Sequence, residues 1–486
     1  MKDLENKFIT GVSWSFIQQI VTYITVFIFG IILARLLSPE EFGMVGIVGI
    51  FLGILPLFVD GGFANALKQR KQCTDDEYST VFYFNVVMSI FLYVILFFSS
   101  EKIAEFFNND NLVIITRVLG LNLIISSLYS IQNVILSRQL NFKLIAKVTL
   151  ITQIVSGIIA VFAAFLGFGI WALIIRSLLN SLLITLLYYT YNKWKPKLFF
   201  SFKIIKGLFS YGSKLLLGSL INVLFNNAFM FVIGKFYSAA QLGYYTRAYN
   251  FSMLPSQNLT MVVHKVAFPA FSQFQDNEKS LLAANRKIMR LLMFASSILM
   301  VGLAASAEAF VISLVGEKWR PSIIYLQILC FSVLLLPAHS VNVNILNVVG
   351  RSDLSLKLVI IKNTLMIPII ITGIYFGIIH MLLGMVLYSF TVFFINTVWA
   401  NSMIGYNIKK QLLDIIPSFF IAIIVGVLTY SSSFLPFNYI IILLIQIGIG
   451  LFSTIIICET IKYSPYLELK EILNKLIYIP IVTRFF

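Results

Sequence analysis

Four basic residues, Arg117, Arg176, Arg247 and Lys362, lie within long apolar runs, and two more, Arg35 and Lys235, stand at the ends of such runs. A cation held against lipid is costly, so one that is kept inside an apolar run faces a cavity, meets a partner or reaches back to the membrane surface. Arg176 and Arg247 are set deep, and the expectation for both is an internal cavity. There a planar guanidinium can make paired, charge-assisted bonds to an anion. Arg117, Arg35 and Lys235 sit where snorkelling to the interface is the plainer account, with Arg35 and Lys235 as alternative gate residues. Lys362 either faces the cavity or belongs to the inner-side basic population.

Acids and carboxamides complete the inventory. Asp60 and Glu308 are each able to bind a proton or a cation, although Asp60 precedes Gly61-Gly62 and so also suits a helix cap. Asn222 and Asn226 share a helix face at i, i+4 spacing, followed by Asn227; Ser256, Gln257 and Asn258 form a second polar group. These residues either line a polar path or hydrogen-bond between helices. His264 and His339 have no partner cluster that would make a metal site, and Cys73, Cys330 and Cys458 are too scattered to form one. No phosphate-binding loop, catalytic carboxylate pair or nucleophile motif is present. Neither enzyme chemistry nor a cofactor is therefore expected, and transport would draw on an H+ or Na+ gradient or on flux of the cargo itself.

The elements that must position these residues are membrane helices. The chain has 486 residues, of which 59% are hydrophobic and 12% charged, with a mean hydropathy of +0.92. A soluble protein carries about 25% charged residues. Runs near 20 residues recur throughout, the length that crosses a bilayer core. The runs predict fourteen spans: 11–34, 43–67, 80–100, 112–136, 144–167, 170–192, 211–234, 243–268, 288–311, 322–348, 354–376, 380–402, 413–433 and 437–460. The eighth is the least apolar. All but eight of the 36 basic residues then fall on one side, the exceptions being Arg35, Lys102, Arg117, Arg176, Lys235, Arg247, Lys318 and Arg320. Basic loops mark the cytoplasmic side, so both termini are expected there. The net charge of +16 reads as topology and attraction to anionic lipids, not as a nucleic-acid footprint.

The turn RLLSPEEFG, residues 35–43, returns as KFYSAAQLG, residues 235–243, with Ser38 over Ser238 and Gly43 over Gly243. Ser13 and Phe29 also repeat at this offset, and Pro56 falls one residue out of register with Pro255. The expected organisation is an N-terminal lobe at 1–192 (spans 1–6), an amphipathic cytoplasmic linker at 193–210 and a C-terminal lobe at 211–404 (spans 7–12). Spans 13 and 14 follow at 405–460, then a cytoplasmic amphipathic tail at 461–486. Parallel repeats of this kind are common in transporters, which bind cargo where the halves meet.

These residues resemble the bacterial polysaccharide flippases, the Wzx-type branch of the multidrug/oligosaccharidyl-lipid/polysaccharide exporter superfamily. The resemblance rests on GVSWSFIQQI (11–20), ILARLLSPEEFGMVGIV (32–48), FVDGGFANALKQRK (58–71), YGSKLLLGSL (211–220) and QLGYYTRAYNFSMLPSQ (241–257). Exporters for lipopolysaccharide, exopolysaccharide or teichuronic acid are the most similar members. The resemblance implies an all-α, MATE/MurJ-like fold in the bacterial cytoplasmic (inner) membrane. It also implies alternating access that carries a polyprenyl-pyrophosphate-linked oligosaccharide from the inner to the outer leaflet. The pyrophosphate would fall to Arg176, Arg247, Arg117 and Lys362, and the glycan path to Asn222, Asn226, Asn227, Gln257 and Asn258. A polysaccharide polymerase and chain-length proteins are the protein partners expected. Two rivals of the same superfamily are a lipid II flippase and a cation-coupled drug exporter. The excess of basic over acidic residues in the first six spans favours an anionic cargo over a cationic drug. A membrane glycosyltransferase or polymerase would need larger outer loops than those near 101–111 and 312–321.

Overall fold

A computed structural model describes residues 2–263 and 277–478, with 267, 271 and 274 between them. His264 lies outside the described residues. The chain forms two compact units, Met1–Gly243 and Tyr244–Phe486.

The first unit contains α1 (Lys2–Leu36), α2 (Pro39–Asp60), α3 (Phe63–Gln69), α4 (Asp75–Phe107), α5 (Leu112–Arg138), α6 (Phe142–Phe165), α7 (Trp171–Tyr191) and α8 (Phe202–Phe236). α9 (Ala239–Val262) begins at its end and continues into the second unit. The second unit adds α10 (Glu278–Ala305), α11 (Ala307–Val315), α12 (Ser322–Val333), α13 (Leu336–Val348), α14 (Ser352–Phe376), α15 (Ile378–Ile404), α16 (Ile408–Ser431), α17 (Tyr439–Thr460) and α18 (Ser464–Tyr478). Each of the fourteen predicted spans falls on helix within the described residues, the second on α2 and α3, the ninth on α10 and α11 and the tenth on α12 and α13. Twelve helical segments among the described residues are long and apolar enough to cross a membrane; α9 falls short of that measure, and α1 contributes the shorter apolar stretch Val21–Leu36.

Caps explain where the boundaries depart from the hydropathy pattern. Apolarity places the start of the third span near 80, but α4 begins at Asp75 because Thr74 and Glu77 close a capping box there. Three acids in its first turn, Asp75, Asp76 and Glu77, complement the helix dipole. The second span breaks at Gly61-Gly62, both in the left-handed region, and a separate helix α3 follows. Asp60 accepts from the Ala64 N–H at 3.0 Å and so holds the first turn of α3. Arg138 closes the other end, donating to the carbonyls of Leu67, Arg70 and Lys71.

In the first unit α4 packs along α5, α6 between α1 and α7, and α2 against α5 and α8. Small side chains admit close helix approach, as at Ala160, Ala163, Ala164 and Ala172 around Leu33 and Leu37. Large apolar side chains such as Phe98 and Phe162 point outward, as expected when the surrounding solvent is lipid. In the second unit α10 packs on α16, α15 against α12, α13 and α14, and α16 on α17. The tail helix α18 docks through Tyr463 and Tyr466, whose rings meet Phe294 edge-on at 5.5 and 6.5 Å.

Candidate functional site

The repeated turn is a repeated structure. α1 and α8 stop at positions 200 apart, Leu36 and Phe236. Ser38 accepts from Glu41 N–H at 3.3 Å, and Ser238 accepts from Gln241 N–H at 3.2 Å, so each serine caps the helix that follows. The two copies also touch. A Cβ on Gly43 would stand 1.7 Å from the Ala239 carbonyl oxygen, and a Cβ on Gly243 would stand 1.9 Å from that of Pro39. These contacts are reciprocal, because 39 and 239 are themselves repeat partners. Arg35 is exposed at this corner, whereas Lys235 donates to the carbonyl of Phe106 at the end of α4 and lies 4.2 Å from that residue's ring centroid.

Arg176 lies on the wall of a cavity of about 300 Å³ inside the first unit, framed by α1, α2, α6 and α7. Its polar lining is Gln153, Ser156, Arg176, Ser177 and Asn180, and Phe42 forms part of the apolar wall. None of the lining residues is acidic. The guanidinium carbon stands 5.7 Å from the centroid of the Phe29 ring. Phe29 in turn occupies the space beside Gly157, where a Cβ would come within 2.5 Å of the ring. Behind the wall, Asn122 of α5 donates to Ser177 at 2.9 Å. The carboxamide oxygens of Gln153, Asn180 and Asn122 are buried without a hydrogen-bond partner. Sequence reasoning identified Arg176 but missed these carboxamides. Their signal was the polar spacing 176, 177, 180 on one helix and 153, 156 on the next, which puts them on single faces.

The remaining first-unit candidates are dispersed. Arg117 pairs with Glu101 at 2.8 Å and Ser100 at 2.9 Å, with its guanidinium 4.4 Å from the Phe97 centroid, which ties α5 to the C-terminal end of α4. Asn222 and Asn226 are exposed on α8, and Asn227 donates back to Val223 of the same helix at 2.8 Å.

In the second unit Arg247 is buried on α9 between the rings of Trp319 and Phe251, at 5.4 and 5.6 Å from their centroids. Gln257 is exposed, and Asn258 donates to Leu254 in its own helix. Glu308 accepts from Arg320 at 2.7 Å, and both contact the hydroxyl of Tyr439. Arg320 also binds Glu317, and that hydrogen bond holds the Glu317 carboxyl below the usual carboxylate range. Lys362 is half-buried on α14, within electrostatic range of His339 on α13. The His339 ring is held by Ser389 and Asn396 of α15, each at 3.3 Å.

A further cluster, with no signal in the residue order, lies at the start of α16. Arg286 of α10 makes a two-point pair with the buried Asp414 at 2.8 and 2.9 Å, and Tyr406 donates to the same carboxylate at 2.7 Å. Burial and that carboxylate push the Tyr406 phenol well above its ordinary range. Next to it, Asn342, Thr397 and Gln411 form a buried, mutually bonded triad. Among the described residues no group of three His, Cys, Asp or Glu side chains could hold a metal.

Between α15 and α16 lies an all-apolar groove of about 320 Å³, lined by Phe390, Phe394, Phe419 and Phe420 among others.

An all-helical, multi-pass membrane unit with cations and carboxamides turned inward is the architecture of a membrane transport protein. The same fold is seen in the lipid II flippase MurJ in an inward closed conformation, with a TM-score of 0.75 at 16% identity, covering 94% of this chain and 100% of that one. Residues 32–324 match the polysaccharide biosynthesis protein family, and the chain belongs to it. Similar relatives include the lipopolysaccharide biosynthesis protein WzxC of Escherichia coli (strain K12), 26% identical over 436 residues, covering 88% of each chain. The teichuronic acid biosynthesis protein TuaB of Bacillus subtilis (strain 168) is 27% identical over 358 residues, covering 73% of this chain and 74% of its own.

Proposed function

We propose that this protein is a flippase that moves polyprenyl-pyrophosphate-linked oligosaccharide repeat units from the inner to the outer leaflet of the bacterial cytoplasmic membrane. It works by alternating access of its two lobes, 1–192 and 211–404, in the biosynthesis of O-antigen or exopolysaccharide, and it is a transporter rather than an enzyme. Both termini lie in the cytoplasm, and a polymerase and chain-length proteins receive the cargo.

The observation that carries this reading is Arg176. An arginine whose cavity contains no acid and whose neighbours are carboxamides and hydroxyls is built for an anionic, hydroxyl-rich group. A cationic drug would meet the wrong charge there. Arg247 and Lys362 serve the anionic head of the cargo from the second unit. The groove between α15 and α16 offers the polyisoprenoid chain a surface with no polar group to desolvate. Glu308, committed to Arg320 and Tyr439, and Asp60, committed to α3, act in structure before they act in coupling.

The test is a reconstituted assay. Proteoliposomes holding the purified chain and a fluorescent polyprenyl-pyrophosphate oligosaccharide are probed for label accessible at each face, with and without H+ and Na+ gradients. Transfer that depends on the protein is expected. Absence of transfer under every gradient, by protein shown to be folded, refutes the proposal.

A further inference from the structure

Within this flippase reading, on which the following rests, the cavity of the first unit has a more specific chemistry. We infer that it is a subsite for a sugar carboxylate, a hexuronate or similarly acidic sugar of the glycan, with Arg176 on the carboxylate and Gln153 and Asn180 on the ring hydroxyls.

Charge count separates the two anions that the cargo can offer. A pyrophosphate diester carries two negative charges, and Arg176 is the only cation among the residues that line the cavity. A carboxylate carries one charge and accepts two parallel N–H bonds from one guanidinium. The rest of the wall fits a sugar ring better than a phosphate. The buried oxygens of Gln153 and Asn180 are unpartnered acceptors, which seek hydroxyl donors and would repel phosphate oxygens. Ser156 and Ser177 can give or take a hydrogen bond, matching the mixed character of a polyol. Phe42 supplies an apolar wall for the C–H face of the ring. The volume, about 300 Å³, is at the lower end of small-molecule pockets, with room for a sugar residue and not for a whole repeat unit.

The geometry also holds Arg176 in place for this task. Its guanidinium lies over Phe29, and Phe29 is seated where Gly157 leaves out a side chain. Asn122 reaches from α5 to fix the Ser177 hydroxyl. The site is thus supported by three elements outside α7: α1, α5 and α6.

The experiment uses the full chain in nanodiscs and three soluble probes: an oligosaccharide bearing a hexuronic acid, the same oligosaccharide with its carboxyl reduced to the alcohol, and inorganic pyrophosphate. The acid should bind at least about tenfold more tightly than the alcohol. Arg176→Gln should erase that preference, and Gln153→Leu should weaken both sugars while preserving it. Pyrophosphate should not displace the acid. Equal binding of acid and alcohol by the native chain, or displacement of the acid by pyrophosphate, overturns the inference. These two outcomes need no variant, so they stand even if Arg176→Gln does not fold. Proteoliposomes loaded with lipid-linked glycans that carry or lack the hexuronate separate the two levels of the proposal. No transport of either glycan, with soluble binding intact, refutes the flippase reading and spares the subsite. Equal transport of both, unchanged by Arg176→Gln, refutes the subsite and spares the flippase.

Discussion

Gly43→Ala is the most telling single change that the repeated corner allows. The new methyl carbon would stand 1.7 Å from the Ala239 carbonyl oxygen and 2.5 Å from its carbon. An ordinary contact needs about 3.4 Å, so the starts of α2 and α9 must part by more than 1 Å. The obstacle is backbone, which cannot rotate out of the way as a side chain can. Overpacking of this kind costs about 1–3 kcal/mol. Exchanging glycine for alanine inside a helix ordinarily gains up to about 1 kcal/mol, so the net loss should be about 0–2 kcal/mol. Gly49 provides the control: it lies on the same helix, and a Cβ there meets nothing within 4 Å. Gly49→Ala should therefore be neutral or slightly stabilising. Gly243→Ala should resemble Gly43→Ala, since its methyl meets the Pro39 carbonyl at 1.9 Å. The double variant should cost less than the sum, because one separation of the helices makes room for both methyls. Thermal unfolding in detergent gives the stabilities, and dipolar broadening between spin labels at Glu40 and Ala240 gives the separation. If Gly43→Ala proves as stable as Gly49→Ala with unchanged label separation, the close contact is not part of the folded protein.

Further perturbations have definite outcomes. Arg176→Ala should abolish complementation of a flippase-null strain at normal protein level, whereas Arg117→Ala should leave export intact and cost only the Glu101 and Ser100 contacts. Asp414→Ala removes the acceptor for both Arg286 and Tyr406, and should destabilise by about 2–3 kcal/mol in thermal unfolding, below the full cost of breaking a buried pair because Arg286 is partly exposed. Replacing the pair together, as Arg286→Met with Asp414→Leu, should restore most of that loss. The loop at Glu317 should respond to acid. Its folded carboxyl titrates below the unfolded value, so the stabilising contact to Arg320 is complete above the unfolded pKa and lost as pH falls through the folded one. Amide exchange in the segment around 316–321 should accordingly quicken at low pH and not between pH 6 and 8.

The helices were legible because apolar length is a direct consequence of the solvent in which they sit. Their ends were less so: Thr74, Gly61 and Ser306 set boundaries through caps and backbone turns that hydropathy does not register. Arg176 was legible as an exception to the rule that basic residues gather on one side. Its carboxamide neighbours were less so: the spacing of 153 with 156 and of 177 with 180 marks polar faces, but only packing turns those faces, and Asn122 of α5, toward one another. Asp414 was overlooked for a related reason. Arg286 passes as one more inner-side cation until folding shows that it is committed to a carboxylate 128 residues away. Arg117 was read from its position alone, and the pairing with Glu101 of the preceding helix comes from packing that the residue order does not show.

The two halves share a scaffold without sharing chemistry, and that difference bears on what is carried. The helix end, the two-residue link and the serine cap recur at an offset of 200, as does the glycine that lets the copies touch. Phe29 recurs as Phe229. Yet α7, the sixth long helix of the chain, carries Arg176, whereas α15, the corresponding helix of the second half, contains no Lys, Arg, Asp or Glu at all. A protein that moved a symmetric or purely apolar molecule would have no physical reason to pay for a cation in only one of the two. A lipid-linked glycan is polar and charged at one end and apolar at the other. A polar, singly charged cavity in the first unit and an apolar, phenylalanine-rich groove in the second match the glycan and the lipid chain of that cargo.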